Sequence, residues 1–481
     1  MGGSLLVVVA VLIANVSGVA VSLVVPAFLP PDQYSNFALA WSVGQFLSML
    51  FFEWLRFSAL RFSVGPDVGL AKQRKAVLVA AYRRLSPAII ALAAFSLATI
   101  GRGGVLAILP FALVYAVCQG SFDGFQAFAR ASRDNVGFAR NWAMRALFSI
   151  GMVVVVAWMT RNGGAATIAL SLSFPLTLAA NSILSSAFKK PRTEKNSLVN
   201  WGELPKMARF GLFAAVSGVI ANGVPTIVRW ALVDFAGKNA AAGALLAADL
   251  SQKALAVTGM AVNVIAMQNS FTAVDTGDRE TINRSNQNQI VCAIGAVLPI
   301  GIMVWLMSGD VANILMRPAY RTGFLESAGL CALASGMICV RLFAIDPLFY
   351  AFNKAGLSVV GAATSLALCS AALALPNFHP FGRIDPLLGF VASAGAGLIV
   401  STLLAITVLK IRLPWTQLAR LAMAAGVMIG AWELIPHGRG VVGFVLLGGG
   451  LALLYATAAV ASNVAGLRDE AFRRINLAFR A

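Results

Sequence analysis

The chain is short of charge, short of acid above all, and nearly without histidine. Only 12% of its 481 residues are charged, with 19 acidic side chains against 37 basic ones. With 59% hydrophobic residues and a mean hydropathy of +0.81, this excludes a soluble globular domain. The two histidines, His379 and His437, lie in short polar connections. The five cysteines (Cys118, Cys292, Cys331, Cys339, Cys369) all fall within apolar runs. Their number is odd and no CxxC occurs, which excludes a disulfide framework and a cysteine-based metal site. A nucleotide-binding motif, a nucleophile elbow and a metal-ligand cluster are all missing, so an enzyme is not expected. The short alternating strands of an outer-membrane barrel are missing too. No polar segment is long enough to form a domain.

What is present is a succession of apolar runs, each long enough to span a bilayer. Fourteen spans are expected, approximately 4–28, 36–62, 85–101, 104–124, 138–160, 165–188, 207–230, 241–271, 289–308, 324–350, 355–376, 386–409, 416–435 and 440–462. Twelve is the alternative count. The fold class is therefore all-α and integral to the membrane. Residues 1–28 have no basic n-region, so the first run reads as a retained helix rather than a signal peptide. With both termini placed in the cytoplasm, 24 of the 37 Lys and Arg face inward, 8 face outward and 5 lie within spans. That asymmetry is a positive-inside signal and supports an even number of spans. It also accounts for the net charge of +18 without nucleic acid. The expected organisation is a helical bundle over 1–188, a basic cytoplasmic linker over 189–206 and a second bundle over 207–376. Additional spans over 377–463 and an amphipathic cytoplasmic tail over 464–481 follow.

The most informative stretch is Phe51–Phe62 (FFEWLRFSALRF), where an apolar run carries Glu53, Arg56 and Arg61. At about 100° per residue all three share one side of a helix. A charge at bilayer depth costs about 2.5–3.5 kcal/mol on insertion scales, so it must face protein, water or a ligand. Glu53 and Arg56 either serve a substrate or pair to lock packing. Arg61 either serves the same site or snorkels to the headgroups. Arg145 lies mid-span without a neighbouring acid. It awaits either an external anion or an acid from another helix, such as Asp123 or Glu53. Arg229 lies near a span end, where snorkelling competes with function. Asp249 and Lys253, four residues apart, share a helix face. They form either a permanent pair or a switch in which a substrate anion takes Lys253 and frees Asp249 for a cation. Arg341 and Asp346 read as structural. Gly426, Gly430 and Gly448–Gly450 read as helix-packing surfaces.

The halves share a pattern. Asp32–Tyr34 sets against Asn239–Ala241, and Gly44–Leu47 against Ser251–Ala254, each between a Gly- and Pro-containing helix and a long charged one. Parallel repeats of this kind place a substrate site at their interface.

The segment Leu29–Ala40 (LPPDQYSNFALA) resembles the LGPxxYGxFALA turn of bacterial polysaccharide flippases, within the multidrug/oligosaccharidyl-lipid/polysaccharide exporter superfamily. Asn222–Arg229 (NGVPTIVR), followed by Gly237 and Ala241–Gly243, resembles that family's second hairpin. Ser35 and Ala241–Gly243 depart from it, where the family carries Gly and Gly-x-Tyr. The resemblance implies two pseudo-symmetric bundles around a central cationic cavity. It also implies alternating access coupled to H⁺ or Na⁺, moving an undecaprenyl-pyrophosphate-linked oligosaccharide to the outer leaflet for polysaccharide biosynthesis. Arginine suits a pyrophosphate because its planar fork donates two parallel hydrogen bonds and stays charged. The expected substrate-binding residues are thus Arg56, Arg61, Arg145, Arg229 and Lys253, with Glu53 and Asp249 as ion-coupling groups and no resident cofactor. Expected partners are the lipid-linked oligosaccharide, membrane lipids, and a polymerase and glycosyltransferases of the same route. Two alternatives stand. A multidrug exporter of the same superfamily would need an acidic, aromatic pocket. A membrane enzyme of polysaccharide assembly would need a large outer loop or an acidic dyad.

Overall fold

The computed structural model describes residues 2–63, 68–99, 105–132, 134–186, 200–276, 278–352, 354–374, 385–435 and 440–464. Most of the basic linker over 189–206, nearly all of the tail over 464–481, and both histidines lie outside the described residues. Everything described is helical or a short connection. The helices are α1 (Gly2–Val24), α2 (Pro31–Phe62), α3 (Val68–Thr99), α4 (Leu109–Ala131), α5 (Asn135–Thr160), α6 (Gly163–Ser186) and α7 (Leu204–Thr276). After these come α8 (Arg279–Leu306), α9 (Ser308–Leu315), α10 (Pro318–Val340), α11 (Asp346–Ala351), α12 (Gly356–Ala374), α13 (Pro386–Val408), α14 (Trp415–Leu434) and α15 (Gly440–Ala461).

Among the described residues, eleven stretches are long and apolar enough to cross a membrane. One of them, Ala215–Met260, crosses the break in α7 at Gly237, whose φ of 78° and ψ of 161° suit only glycine. Counted as two helices there, and with α1 and α14 included, the order follows the fourteen expected spans. The departure is α3, expected over 85–101 but starting at Val68. Its first half is amphipathic rather than apolar. Val77, Leu78 and Ala81 are buried, while Lys72, Lys75, Arg83 and Arg84 stay exposed. A hydropathy window misses such a turn-by-turn division.

Helix ends follow local chemistry. Pro31 opens α2 at a position that needs no N–H, and Asp32 follows in the first turn. Asp134 caps α5 by accepting from the Gly137 amide at 2.8 Å.

The chain packs as two compact units. The first comprises Met1–Leu246 with Cys369–Pro386, and the second Ala247–Leu368 with Leu387–Ala481. In the first, α2 and α4 form the centre, with α3 and α6 against them and α1 on α5. Small residues allow the close approaches. Gly44 lies under Tyr115 and Gly120 under Phe52, where any added Cβ would clash. The first half of α7 runs antiparallel to α2. Ser58 donates to the Met207 carbonyl at 2.8 Å, Ser42 meets Thr226 at 3.1 Å and Ser35 donates to the Lys238 carbonyl at 2.6 Å.

In the second unit, α8 packs on α10 and α14, and α14 on α15. α12 and α13 meet where Gly361 faces Ser401 and Gly397 faces Ser365. The packing role expected of Gly426 and Gly430 is corrected here. A Cβ on either meets nothing within 4 Å, and both are exposed. Of the Gly448–Gly450 run, only Gly448 touches a neighbour, at Met303 and Met307.

Candidate functional site

Three helices of the first unit turn polar faces inward. α2 carries Glu53 and Arg56. α4 carries Gln119, Asp123 and Gln126, spaced i, i+4 and i+7 and so on one face. α5 carries Asn141 and Arg145, one turn apart. Glu53, Gln126 and Asn141 are buried. Glu53 accepts a charge-assisted hydrogen bond from Arg56, whose guanidinium lies 5.1 Å from the Phe57 ring centre. The side chain of Glu53 is 10% exposed and that of Arg56 37%, so the pair reaches the edge of the packed interior.

Asp123 connects this pair to Arg145. Its carboxylate lies within Coulombic range of both guanidinium groups, beside Gln119. Arg145 is walled by aromatic rings, 4.6 Å from the Phe174 centre, 4.8 Å from Trp142 and 5.6 Å from Phe122. Phe122 packs edge-on against Trp142, which holds the cage in shape. On the other side, Tyr82 of α3 stacks on Phe52 with rings 5.7 Å apart and fits into the space left by Gly124. Its hydroxyl lies in range of Glu53, Arg56 and Asp123.

The result is a charge-balanced cluster of two guanidinium groups and two carboxylates, in which Glu53 and Arg56 touch and Asp123 and Arg145 act at longer Coulombic range. Removing one member of such a buried set strands an opposite charge, which is costly. An incoming dianion must therefore compete with Glu53 and Asp123 for the arginines. The network also offers unsatisfied polarity. Both side-chain polar atoms of Gln126 and the Asn141 oxygen are shielded, with no hydrogen-bond partner among the described residues.

The remaining expected site residues lie elsewhere. Arg61 is exposed on the last turn of α2. Arg229 does not snorkel. It is 5% exposed and donates to Ser42 at 3.1 Å. Ser42 precedes Glu53 by about 16 Å along α2 at 1.5 Å per residue, so Arg229 marks a second level of the same helix pair. Asp249 and Lys253 sit in the second unit, Nζ to Oδ2 4.0 Å, the outer limit of an ion pair. Also in that unit, Arg341 and Asp346 are both 2% exposed at the side chain and flank a π-helical turn, Arg341–Ile345. Arg341 donates to Ser365 at 2.8 Å, Ser401 donates to Asp346 at 3.3 Å, and the charges stand 3.7 Å apart. A cavity of about 690 Å³ between α8 and α10 is apolar apart from Ser308 and Glu326 and takes no part in either cluster. Among the described residues, no three His, Cys, Asp or Glu side chains are placed to hold a metal ion.

Asp123 is the residue that sequence reasoning underused. The signal was there in Gln119, Asp123 and Gln126, a polar stripe at helical spacing inside an apolar span.

No protein-family model matches the sequence, and no curated protein matches it. Solved structures do. The chain is similar to the lipid II flippase MurJ in an inward closed conformation, with TM-score 0.70 and 13% identity over 97% of this chain and 99% of that one. It is similar to the MATE multidrug transporter DinF-BH, at TM-score 0.59 and 11% identity over 84% of this chain and 93% of that one. It is also similar to an outward-facing multidrug resistance MATE family transporter of the MOP superfamily, at TM-score 0.56 and 14% identity over 85% and 96%. The fold is that of these multi-pass transporters and flippases.

Proposed function

We propose that this chain is a flippase. In this reading it moves an undecaprenyl-pyrophosphate-linked oligosaccharide from the inner to the outer leaflet of a bacterial inner membrane by cation-coupled alternating access. The observation that carries the proposal is the Glu53–Arg56–Asp123–Arg145 cluster, carried on three helices long and apolar enough to span a membrane, in a fold shared along 97% of the chain with a lipid II flippase. The pyrophosphate competes for Arg56 and Arg145, and the displaced Glu53 and Asp123 become available to a proton or sodium ion. Exchange of one partner for the other is an antiport cycle in outline. Gln119, Gln126 and Asn141 supply amides for sugar hydroxyls. Arg229 with Ser42 forms the second level on the path, and Asp249 with Lys253 repeats the exchange in the other unit. Arg61, at the exposed end of α2, makes the first contact with the headgroup. Both termini are cytoplasmic in this reading, and polymerase and glycosyltransferases supply and consume the cargo.

Export of organic cations fits the site less well. The aromatic cage of Phe174, Trp142 and Phe122 is the feature that could hold such a cation, but Arg145 already fills it. The deciding experiment is reconstitution into vesicles with a fluorescent polyprenyl-pyrophosphate oligosaccharide in the outer leaflet. Leaflet exchange that depends on Arg56 and Arg145 supports the proposal. Exchange that proceeds without either arginine, or transport of a fluorescent organic cation instead, refutes it.

A further inference from the structure

We propose that a pocket between α3 and α4 holds the headgroup of a membrane phospholipid, with its phosphate on Lys75 and Arg83 and its hydrogen-bond-donating end on Asp134. The pocket has a volume of about 380 Å³ and is lined by these three residues, Tyr82, Ser121 and an apolar floor that includes Phe128. It lies at the basic end of α3, within the first unit, and none of Glu53, Arg56, Asp123 or Arg145 lines it.

Three features point to a headgroup. Lys75 and Arg83 are both exposed and stand two turns apart, about 12 Å at the backbone, a gap that their long side chains can close on one phosphate. Lys75 is positioned by the Phe128 ring, 5.5 Å from its centre. Opposite these bases, Asp134 accepts from Gly137 with one carboxylate oxygen and retains acceptor capacity on the other. A purely basic cleft would suit bare phosphate, whereas a cleft with bases on one side and an acid on the other suits a phosphate joined to an N–H or O–H donor. Phosphatidylethanolamine and phosphatidylglycerol have that pattern, and phosphatidylcholine does not. Finally, Tyr82 gives the pocket an aromatic wall, its ring stacked on Phe52 and its hydroxyl shielded against Gly124. The floor rings, with Phe125 more than half exposed, then meet the glycerol and upper acyl carbons.

The test is native mass spectrometry of the purified full chain with added phosphatidylethanolamine, phosphatidylglycerol, phosphatidylcholine or inorganic phosphate. One tightly retained ethanolamine or glycerol lipid is expected, with choline lipid held at least fivefold more weakly. Lys75→Gln and Arg83→Gln should each weaken retention about fivefold, the size of one Lys or Arg contact to an anionic headgroup. Asp134→Asn, which still caps α5, should narrow the gap between ethanolamine and choline lipids. Equal retention of all three lipids, indifference to both basic substitutions, or saturation by inorganic phosphate alone would overturn the assignment. Arg56→Ala should leave lipid retention unchanged, so failure here is separable from failure of the flippase reading.

Discussion

Replacing Asp123 by Asn removes one of the two carboxylates that balance Arg56 and Arg145 while keeping size and hydrogen-bonding capacity. In a fully sealed site, stranding a charge costs about 3–5 kcal/mol. The edge exposure of Arg56 lets water share that burden, so a smaller penalty of about 1–3 kcal/mol is expected. Arg145→Gln strands Asp123 in the same way. The double variant restores neutrality, so the two effects should not add. A double-mutant cycle should return a coupling of about 1–3 kcal/mol, as found for residues in one polar network. The assay is thermal unfolding of the four purified proteins in one detergent, where each single variant should lose about 1–3 °C and the double variant should recover part of it. Flipping is measured beside it. The double variant should be stable yet inactive, since it lacks a guanidinium for the pyrophosphate. Strict additivity of the two thermal shifts would refute the network. Normal flipping by Arg145→Gln would refute its role in binding cargo.

Arg56→Ala should abolish surface polysaccharide with membrane abundance intact, and Arg56→Lys should restore only part, because a point charge cannot reproduce the planar fork. Normal polymer from Arg56→Ala would count against the site. Asp249→Asn should change the dependence of flipping on the imposed proton or sodium gradient, and an unchanged dependence removes it from coupling. In the sealed pair, Arg341→Met or Asp346→Leu alone should cost about 3–5 kcal/mol, whereas both together should be near neutral, read as recovery of melting temperature. Asp278 caps α8, and its bonds from the Thr281 hydroxyl, then the Thr281 and Glu280 amides, hold its carboxyl below the ordinary range. Its contribution is therefore present above the ordinary carboxylate range and lost as pH falls through the depressed value. Hydrogen exchange in the first turn of α8 should rise on acidification, and Asp278→Ala should remove that pH dependence.

Span order was legible because the bilayer imposes length and apolarity on each helix separately, and neither depends on a distant residue. The first half of α3 was hidden because its apolar side is one narrow stripe among basic residues. Arg74 binds Glu203 at 2.8 Å and Arg84 lies 4.2 Å from the Trp201 ring centre, so this half is fixed by partners far away in sequence. Pairing between helices was illegible for the same reason. Arg145 carries no hint that its cage includes Phe174, and Asp123 was only one of two acids it might have met. The Gly426 and Gly430 spacing misled because GxxxG says that a helix can be approached closely, not that another helix is there. Gly361 and Gly397, which do mark a crossing, sit in different helices and have no mutual spacing to read.

The first-unit charge cluster and the Arg341–Asp346 pair differ in a way that separates chemistry from architecture. Arg341 and Asp346 are closed off almost completely, and Ser365, Ser401 and the Gly361 carbonyl supply neutral partners around them. No ligand reaches them without unpacking the Gly361–Gly397 crossing, where the backbones already touch. Glu53, Arg56, Asp123 and Arg145 are also charge-balanced, but Arg56 has an exposed edge, and the Gln126 amide and the Asn141 oxygen on the same helix faces have no hydrogen-bond partner among the described residues. An ion pair can trade partners only if a competitor can reach it and the deserted member finds new polar company. The first unit meets both conditions, and the Arg341 pair fails the first. If this distinction is sound, a water-soluble arginine-directed reagent such as phenylglyoxal should modify Arg56 in the folded protein and spare Arg341. Labelling of Arg341 at a comparable rate would mean that the second unit opens in a way its packing does not predict.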